Sequence, residues 1–244
     1  MYSKIASILE AHFENNWFLD SGSLLGVVRD GKFLASDKGI DISAVIHENY
    51  DSVNIREAVD EIEKLGFIVS RYKWGCNCYK YCFVPKRRTG FDYAFDLHLF
   101  KKQGDTYFCP QVSFIKEKNS GPFASFRSVR KGNSIHGNGW KRHIASIYRY
   151  QFKYFGQPMQ MKHIFEKGIG QTFFWYIPQE LLRETEFGEY GLRKMSNCSD
   201  YLHFRYGDWR IPVKDWVTLR DDGGIKKCTS SDIDEFMISE IIMK

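Results

Sequence analysis

The sequence predicts an α+β fold with a mixed β-sheet core flanked by helices and a mainly helical C-terminal part. Over the first hundred residues, segments with helical periodicity alternate with segments of strand composition, and several strands then follow one another. Beyond about residue 150 the side-chain spacing becomes helical. We therefore expect a core at residues 1–150 with a helical region at 151–244 packed on it, or one single domain over 1–244.

The first helix follows from apolar side chains at helical intervals, Ile5, Ile8, Leu9 and Phe13, which predict a helix over about residues 2–15. The other elements predicted in the first hundred residues are a strand at 17–19, a helix at 24–29, a strand at 40–46, a helix at 55–65 and strands at 67–72, 79–84 and 91–100. Residues 100–150 are expected to be irregular with short strands. Further helices are predicted at 199–206, 213–219 and 231–242.

Composition and charge exclude several classes of protein. The chain has 35 Lys and Arg against 30 Asp and Glu, a net charge of +5, and these basic residues are scattered. A nucleic-acid binder gathers them in a stripe, so the excess better suits an anionic substrate or membrane surface. No apolar run is long enough to span a membrane, and Lys4, Glu10 and His12 interrupt the N-terminus where a signal peptide would be apolar. We expect a cytoplasmic protein without nucleic acid.

The segment from Asp20 to Gly26, Asp-Ser-Gly-Ser-Leu-Leu-Gly, stands where a strand opens into a helix. Backbone N–H groups at a helix N-terminus, with Gly22 and Ser23 beside them, are able to cradle a phosphate. An ordinary strand–helix turn has the same composition, so this motif alone decides nothing.

Acidic residues mark two of the predicted strands. Asp41 lies inside an apolar strand, where its burial is costly unless it binds a cation or is fully hydrogen-bonded; the alternative is the solvent face of an edge strand. Asp96 and His98 share one face of the strand at 91–100. Two neighbouring strands that each present an acid bring Asp41 and Asp96 within reach of one hard cation such as Mg²⁺. With the Gly-Ser turn, this describes a nucleotidyltransferase-type site.

Three motifs together resemble the LicD/fukutin family. The first begins at Leu19-Asp20-Ser21-Gly22-Ser23-Leu24-Leu25-Gly26 and continues through Arg29, Gly31, Phe33-Leu34, Asp37 and Ile40-Asp41-Ile42. The second is Phe95-Asp96-Leu97-His98, which is similar to the family's downstream acidic strand. The third is Tyr201-Leu202, then Tyr206-Gly207-Asp208-Trp209 and Pro212. The three appear in the family's order and span most of the chain.

The resemblance implies a nucleotidyltransferase-like fold that moves a phospho-alcohol, such as phosphocholine, ribitol phosphate or glycerol phosphate, from a CDP-activated donor to a sugar hydroxyl of a cell-surface glycan. It also implies Mg²⁺, or Mn²⁺ in its place, held by Asp41, Asp96 and Asp37. The acceptor is expected to be lipid-linked, with the protein in peripheral contact with the inner membrane face.

One position departs from the family pattern. The family has Asp-x-Asp-x-Asp before the apolar part of the strand, and here the middle acid is Gly39. Either Asp37 moves inward to serve as a ligand, or Asp41 and Asp96 hold the metal alone, or catalysis is impaired. The last case describes the alternative function, a degenerate family member that binds donor or glycan in a polysaccharide assembly complex.

Four further residues have two interpretations each. His98 is either a general base or a residue that orients Asp96. Lys86 and Arg87 either pair with the donor diphosphate or lie in a solvated hairpin turn. Asp208 either accepts a substrate hydroxyl or caps a helix. Arg29 matches the family pattern and is the better candidate for phosphate binding.

Overall fold

A computed structural model describes residues 2–35, 39–46, 53–86, 93–113, 159–162 and 171–238. The helices in this part of the chain are α1 (Tyr2–Phe13), α2 (Ser21–Asp30), α3 (Val53–Lys64), α4 (Cys198–Tyr206), α5 (Thr218–Asp221) and α6 (Ser230–Ile238). The strands are β1 (Trp17–Leu19), β2 (Gly39–Ile46), β3 (Phe67–Trp74), β4 (Asn77–Pro85), β5 (Ala94–Gln103), β6 (Thr106–Ser113), β7 (Met159–Gln160), β8 (Gln171–Pro178), β9 (Thr185–Phe187), β10 (Arg193–Met195) and β11 (Ile225–Lys227). None of the helices in these ranges has the length and apolar character that crossing a bilayer requires.

Nine of the described strands form one mixed sheet. Its main path runs β11-β8-β6-β5-β4-β3-β7, while β2 pairs with β5 and β1 pairs with β2. The β2–β5 and β3–β7 pairs are parallel and the other pairs are antiparallel. Strands β9 and β10 form a separate antiparallel pair. The α+β class with a mixed sheet is thus confirmed.

The first hundred residues fold close to their predicted pattern. α2 is longer than expected, because it begins at Ser21 immediately after the N-cap residue Asp20. It ends where Gly31 adopts a left-handed conformation with φ of 67°. Gly66 follows α3 with φ of 101°, a backbone conformation that ends a helix and that glycine adopts readily.

The C-terminal part is not mainly helical in the residues described, contrary to the prediction. β8 lies between β6 and β11 in the main sheet and pairs with β6 along its whole length. Its aromatic run shows no alternation of apolar and polar residues, because it is buried on both faces: Phe173, Phe174 and Ile177 are all inaccessible. A short apolar run of this kind is a strand signal that helical spacing does not reveal.

The helix expected at 213–219 is also wrong, whereas α4 and α6 confirm the other two C-terminal helices. Val213, Trp216 and Val217 have helical spacing, but Val213 and Val217 are 58% and 47% exposed. An apolar stripe stabilises a helix only when a core surface covers it. Here the chain instead extends along the rim of a cleft, and only the short α5 forms.

Alternation along β4 and β5 divides the sheet into an aromatic face and a polar face. Phe83 and Phe95 are register partners, fully buried and stacked with ring centroids 4.3 Å apart. The side chains that alternate with these phenylalanines along β4 and β5 point to the opposite face. Lys80 lies opposite His98, and Cys82 lies opposite Asp96. The chemically active side chains of the sheet therefore share one face.

Gly223 allows the segment before β11 to lie directly against α4. Its N–H donates to the Arg205 carbonyl oxygen at 2.9 Å, and a Cβ at this position would overlap the carbonyl oxygen of Phe204. We expect Gly223→Ala to lower the free energy of unfolding by about 2 kcal/mol, because the backbone of α4 must shift. Urea denaturation measures this loss.

Gly188→Ala is the matched control for that substitution. A Cβ at Gly188 meets only the flexible end of the Lys194 side chain, which is able to move aside. Equal losses in the two variants would contradict the close backbone packing at Gly223.

Candidate active site

The parallel pairing of β2 with β5 places Asp41 directly opposite Asp96. Both carboxylates are partly accessible, with 28% of each side chain exposed. They lie on the polar face of the sheet, near the N-terminal ends of their strands. The two acids that the sequence assigns to neighbouring strands are therefore brought together.

His98 lies beneath these carboxylates and is completely buried. Gln111 Nε2 donates to His98 Nδ1 at 3.2 Å, which leaves the proton of a neutral ring on Nε2. That Nε2 is 3.4 Å from Asp41 Oδ1. His98 thus contacts Asp41, whereas the sequence interpretation linked it to Asp96.

Lys80 forms an ion pair with Asp96 that sequence analysis did not anticipate. Its Nζ lies 2.6 Å from Asp96 Oδ2, and only 13% of the lysine side chain is exposed. Burial by itself would lower the pKa of Lys80, but the charge of Asp96, together with the hydrogen bond to it and the nearby Tyr72, raises that pKa above its ordinary value. For Asp96, burial opposes ionisation, yet the adjacent ammonium lowers the pKa of the carboxyl below its ordinary value. Both groups are therefore charged at neutral pH.

Asp41, Asp96 and His98 together offer ligand atoms that all lie within 4.8 Å of one another. Two carboxylates are the hard oxygen donors that Mg²⁺ and Mn²⁺ prefer. Small side-chain movements would bring both carboxylates onto one ion, so the residues present fit a divalent cation. His98 fits less well as a ligand, because its Nε2 carries the proton directed at Asp41.

The turn between β1 and α2 is organised by Asp20, a fully buried carboxylate. Its Oδ1 caps α2 by accepting the Ser21 N–H at 2.5 Å, and its Oδ2 accepts the Ser43 hydroxyl at 2.6 Å. Tyr201 Oη and Arg205 Nη1 also donate to Oδ1, at 2.7 and 3.0 Å. Burial alone would raise the pKa of Asp20, but Arg205 and these hydrogen bonds lower it. Asp20 is therefore a structural anchor.

Arg205 connects this anchor to the segment after α5. Its guanidinium is 1% exposed and forms a two-pronged pair with Asp222, with both N···O distances at 2.6 Å. Gly224 lies so close that a Cβ would approach Arg205 Cδ within 2.6 Å. The ion triad Asp20–Arg205–Asp222 therefore ties the first motif of the chain to its C-terminal part through the protein interior.

A cleft of about 500 Å³ opens beside these groups. The N-terminal half of α2 forms one wall, and β8 with the segment from the end of α4 to α5 forms the other. Asp41 lies at the cleft, so the carboxylate pair and the cleft belong to one site. Its volume is in the range of cofactor and nucleotide sites.

The predicted site residues are distributed unevenly around this cleft. Gly22, Arg29, Asp41 and Asp208 line it. The Arg29 guanidinium also pairs with Asp30, at 2.9 Å for each of two contacts. Asp208 lies just beyond Gly207, where α4 ends, and is exposed.

Four other predicted residues lie elsewhere or outside the described ranges. Ser23 is buried, and its hydroxyl accepts the backbone N–H of Asp41 at 2.9 Å. This contact fastens α2 to β2 next to the carboxylate. Lys86 is exposed at the end of β4, away from the described lining of the cleft. Asp37 and Arg87 lie outside the described residues.

The aromatic wall of the cleft was not expected from the sequence. Trp175, Tyr206 and Trp216 line it, as do Trp209 and Pro212. Trp209 is buried, whereas Pro212 is exposed at the cleft rim. The Cζ of Arg205 lies 5.2 Å from the Trp175 ring centroid, so the buried triad also supports this wall. The sequence feature that could have indicated this aromatic wall is the density of aromatic residues from 173 onward. A buried hydrophobic core has the same composition, so the feature does not distinguish the two.

Comparison with known proteins agrees with the motifs. Residues 14–126 match the family described as LicD/FKTN/FKRP, nucleotidyltransferase domain. A search of curated proteins finds no significant match. The matched residues include the α2 turn, Asp41, Lys80 and the Asp96–His98 pair, while the aromatic wall lies beyond them. The match over residues 14–126 supports membership of the LicD family and suggests a function of the phosphotransferase type.

Proposed function

We propose that the protein transfers a phospho-alcohol from a CDP-activated donor to a sugar hydroxyl of a cell-surface glycan and releases CMP. The observation that carries the proposal is the placement of Asp41 opposite Asp96 at the edge of a cleft that opens at the start of α2. A carboxylate pair beside a helix N-terminus suits a metal-bound diphosphate. The nucleotidyltransferase domain that the family match covers supports the same chemistry.

Asp41 and Asp96 would hold Mg²⁺, or Mn²⁺ in its place, and Asp37 stays a proposed third ligand. When bound, the ion supplies positive charge that neutralises the diphosphate and the negative charge developing on the leaving CMP. The Nε2–H group of His98 donates a hydrogen bond to Asp41 and thereby orients this carboxylate. Ser23 supports the same residue from the α2 side by accepting its backbone N–H.

The transfer itself is a substitution at phosphorus. The acceptor oxygen forms a bond to the phosphorus that bears the alcohol, and the bond from this phosphorus to the CMP phosphate oxygen breaks. The acceptor hydroxyl loses one proton. Among the described acids that line the cleft, Asp222 is paired with Arg205 and Asp41 is assigned to the metal, so Asp208 is our candidate to accept this proton.

Gly22 and Arg29 face the cleft from α2 and are proposed to contact the donor phosphates. Lys86, at the end of β4, and Arg87 are proposed to attract the anionic donor from a greater distance. Catalysis of this kind depends on positioning and charge, and the rigid connection of α2 to β2 and α4 supplies the positioning.

The cleft rim indicates the kind of acceptor. Ile211 and Val213 line the cleft and are 63% and 58% exposed, which is unusual for large apolar side chains. Arg210 and Lys214 flank them along the chain. An apolar rim with basic residues suits a lipid-linked glycan at an anionic membrane surface. We propose such an acceptor, with peripheral contact between this rim and the membrane.

Titration calorimetry with CDP-choline, CDP-ribitol and CDP-glycerol, each with and without Mg²⁺, tests the proposal. We expect one of the three to bind, and to bind at least about tenfold more tightly with Mg²⁺ present. CMP release in the presence of membrane glycolipid extract then identifies the transfer. Failure of all three donors to bind would contradict the proposed function.

The degenerate-member alternative predicts a different pattern. Gly39 stands where the family has an acid, so in this alternative the protein has lost its activity and acts only by binding. It would then bind donor or glycan equally well with and without Mg²⁺. It would also release no CMP. Metal-dependent binding followed by CMP release excludes this alternative.

A further inference from the structure

Lys80 lies on the polar face of the sheet, where its side chain is held between a carboxylate and an aromatic ring. Its Nζ lies 2.6 Å from Asp96 Oδ2 and 5.0 Å from the ring centroid of Tyr72. Tyr72 lies directly opposite Lys80 on β3, as His98 does on β5. A largely buried ammonium held from both sides is far more constrained than a lysine in a surface ion pair.

This position changes the charge of the proposed metal site. Asp41 and Asp96 contribute two negative charges and Lys80 contributes one positive charge, so the three groups sum to a single negative charge. The family pattern has a further acid where this chain has Gly39. Both differences reduce the attraction of the site for a divalent cation.

A donor diphosphate supplies the negative charge that the site lacks. Its oxygens are good ligands for Mg²⁺, which is commonly held by one or two carboxylates together with substrate phosphates. An anionic donor in the adjacent cleft would also be attracted to the Lys80 ammonium. Metal ion and donor should then each bind better when the other is present.

We propose that Lys80 is a positioning residue that holds Asp96 and keeps the metal site weak until the diphosphate of the donor arrives. This inference rests on the proposed function, because it takes Asp41 and Asp96 as the metal ligands. Tight binding of the metal ion at Asp41 and Asp96 therefore requires the donor. A divalent ion alone binds this site only weakly.

Binding of Mn²⁺, measured by the electron paramagnetic resonance of the free ion, tests the inference without any turnover. CDP serves as the diphosphate probe. In the wild-type protein we expect weak Mn²⁺ binding that tightens at least about tenfold with CDP. Lys80→Met should bind Mn²⁺ alone about tenfold more tightly than the wild type, because one positive charge a few ångströms away is removed. Its further gain with CDP should be smaller.

Two variants serve as controls. Lys102→Met makes the same charge change at an exposed residue near the end of β5 and should leave Mn²⁺ binding unchanged. Lys80→Arg keeps the positive charge and should retain weak binding in the absence of CDP. Unchanged or weaker Mn²⁺ binding in Lys80→Met would overturn the inference.

The remaining outcomes separate this inference from the proposed function. If Asp41→Asn fails to weaken Mn²⁺ binding with CDP present, the proposed metal site itself is wrong. If Asp41→Asn abolishes binding but Lys80→Met does not tighten it, only the role of Lys80 is wrong. If Lys80→Met unfolds, we expect Mn²⁺ to restore its thermal unfolding transition, because the ion replaces Lys80 as the partner of Asp96. The absence of such rescue counts against the inference.

Discussion

Asp41→Asn is expected to reduce the rate of CMP release by at least about a hundredfold, with donor and Mg²⁺ both saturating. The amide has the shape of the carboxylate but no charge, so the metal site loses one of its negative ligands. Both supporting contacts, from His98 Nε2 and from the backbone N–H to Ser23, remain geometrically available. The loss should therefore come from the missing charge rather than from a displaced strand.

Asp105→Asn is the matched control for this change. Asp105 is exposed in the turn between β5 and β6, at the far end of β5 from the carboxylate pair. It should retain wild-type rates, and both variants should retain the wild-type circular dichroism spectrum. An Asp41→Asn protein with more than a tenth of the wild-type rate would show that the carboxylate does not act in the reaction.

Arg205→Met should lower the free energy of unfolding by about 3–5 kcal/mol, which is the usual loss when a buried ion pair is broken from one side. The substitution keeps much of the apolar volume but leaves Asp20 and Asp222 without their cation. Both carboxylates are almost completely inaccessible to water. Guanidinium denaturation followed by tryptophan fluorescence measures the change.

The pH dependence of the free energy of unfolding tests whether lost charge explains the effect of Arg205→Met. The pKa of Asp20 is lowered in the folded state, so its ionised form stabilises the protein above the ordinary carboxyl pKa of about 4 and this contribution is lost as the pH falls through the lowered value. The stability gap between wild type and Arg205→Met should therefore narrow when the pH falls below about 4. A gap of constant size would show that lost packing, rather than charge, explains the effect.

Arg210→Met provides the comparison at an exposed arginine. The Cζ of Arg210 lies 4.3 Å from the Trp209 ring centroid, and its Nη2 donates a 3.4 Å hydrogen bond to Ser199 Oγ. We expect a loss of less than about 1 kcal/mol. Similar losses at Arg205 and Arg210 would contradict the special role of the buried triad.

Gly39 has a structural consequence besides the missing charge. A Cβ at this position would lie 3.2 Å from the carbonyl oxygen of Ala94, its partner on β5. The strands are thus closer here than most side chains tolerate. An aspartate at position 39 would share a face with Asp41 but would require β2 and β5 to separate slightly.

Much of the fold in the first hundred residues could be predicted because its signals are local. The spacing of Ile5, Leu9 and Phe13 defines α1, and Gly31 and Gly66 end two helices through their backbone conformation. The apolar strand around Asp41 and the alternation at Asp96 and His98 also follow from neighbouring residues. Each of these signals spans fewer than about 15 residues.

The wrong predictions for the C-terminal secondary structure have a different cause. β8 forms because both β6 and β11 pair with it. The helix predicted at 213–219 does not form over that range, because no core surface covers its apolar side chains. Burial of this kind depends on residues far away in the chain. Single-sequence periodicity does not contain that information.

The sequence by itself indicated the LicD family and determined the α+β class and the two strands that bear Asp41 and Asp96, since these depend on motifs and local patterns. Only the tertiary structure decided which groups face them. Lys80 reaches Asp96 through strand pairing, and Arg205 reaches Asp20 across 185 residues of chain. A charge is stable in the interior only beside its partner. That partner is chosen by the packing of distant segments, so the electrostatics of the site appeared only with the fold.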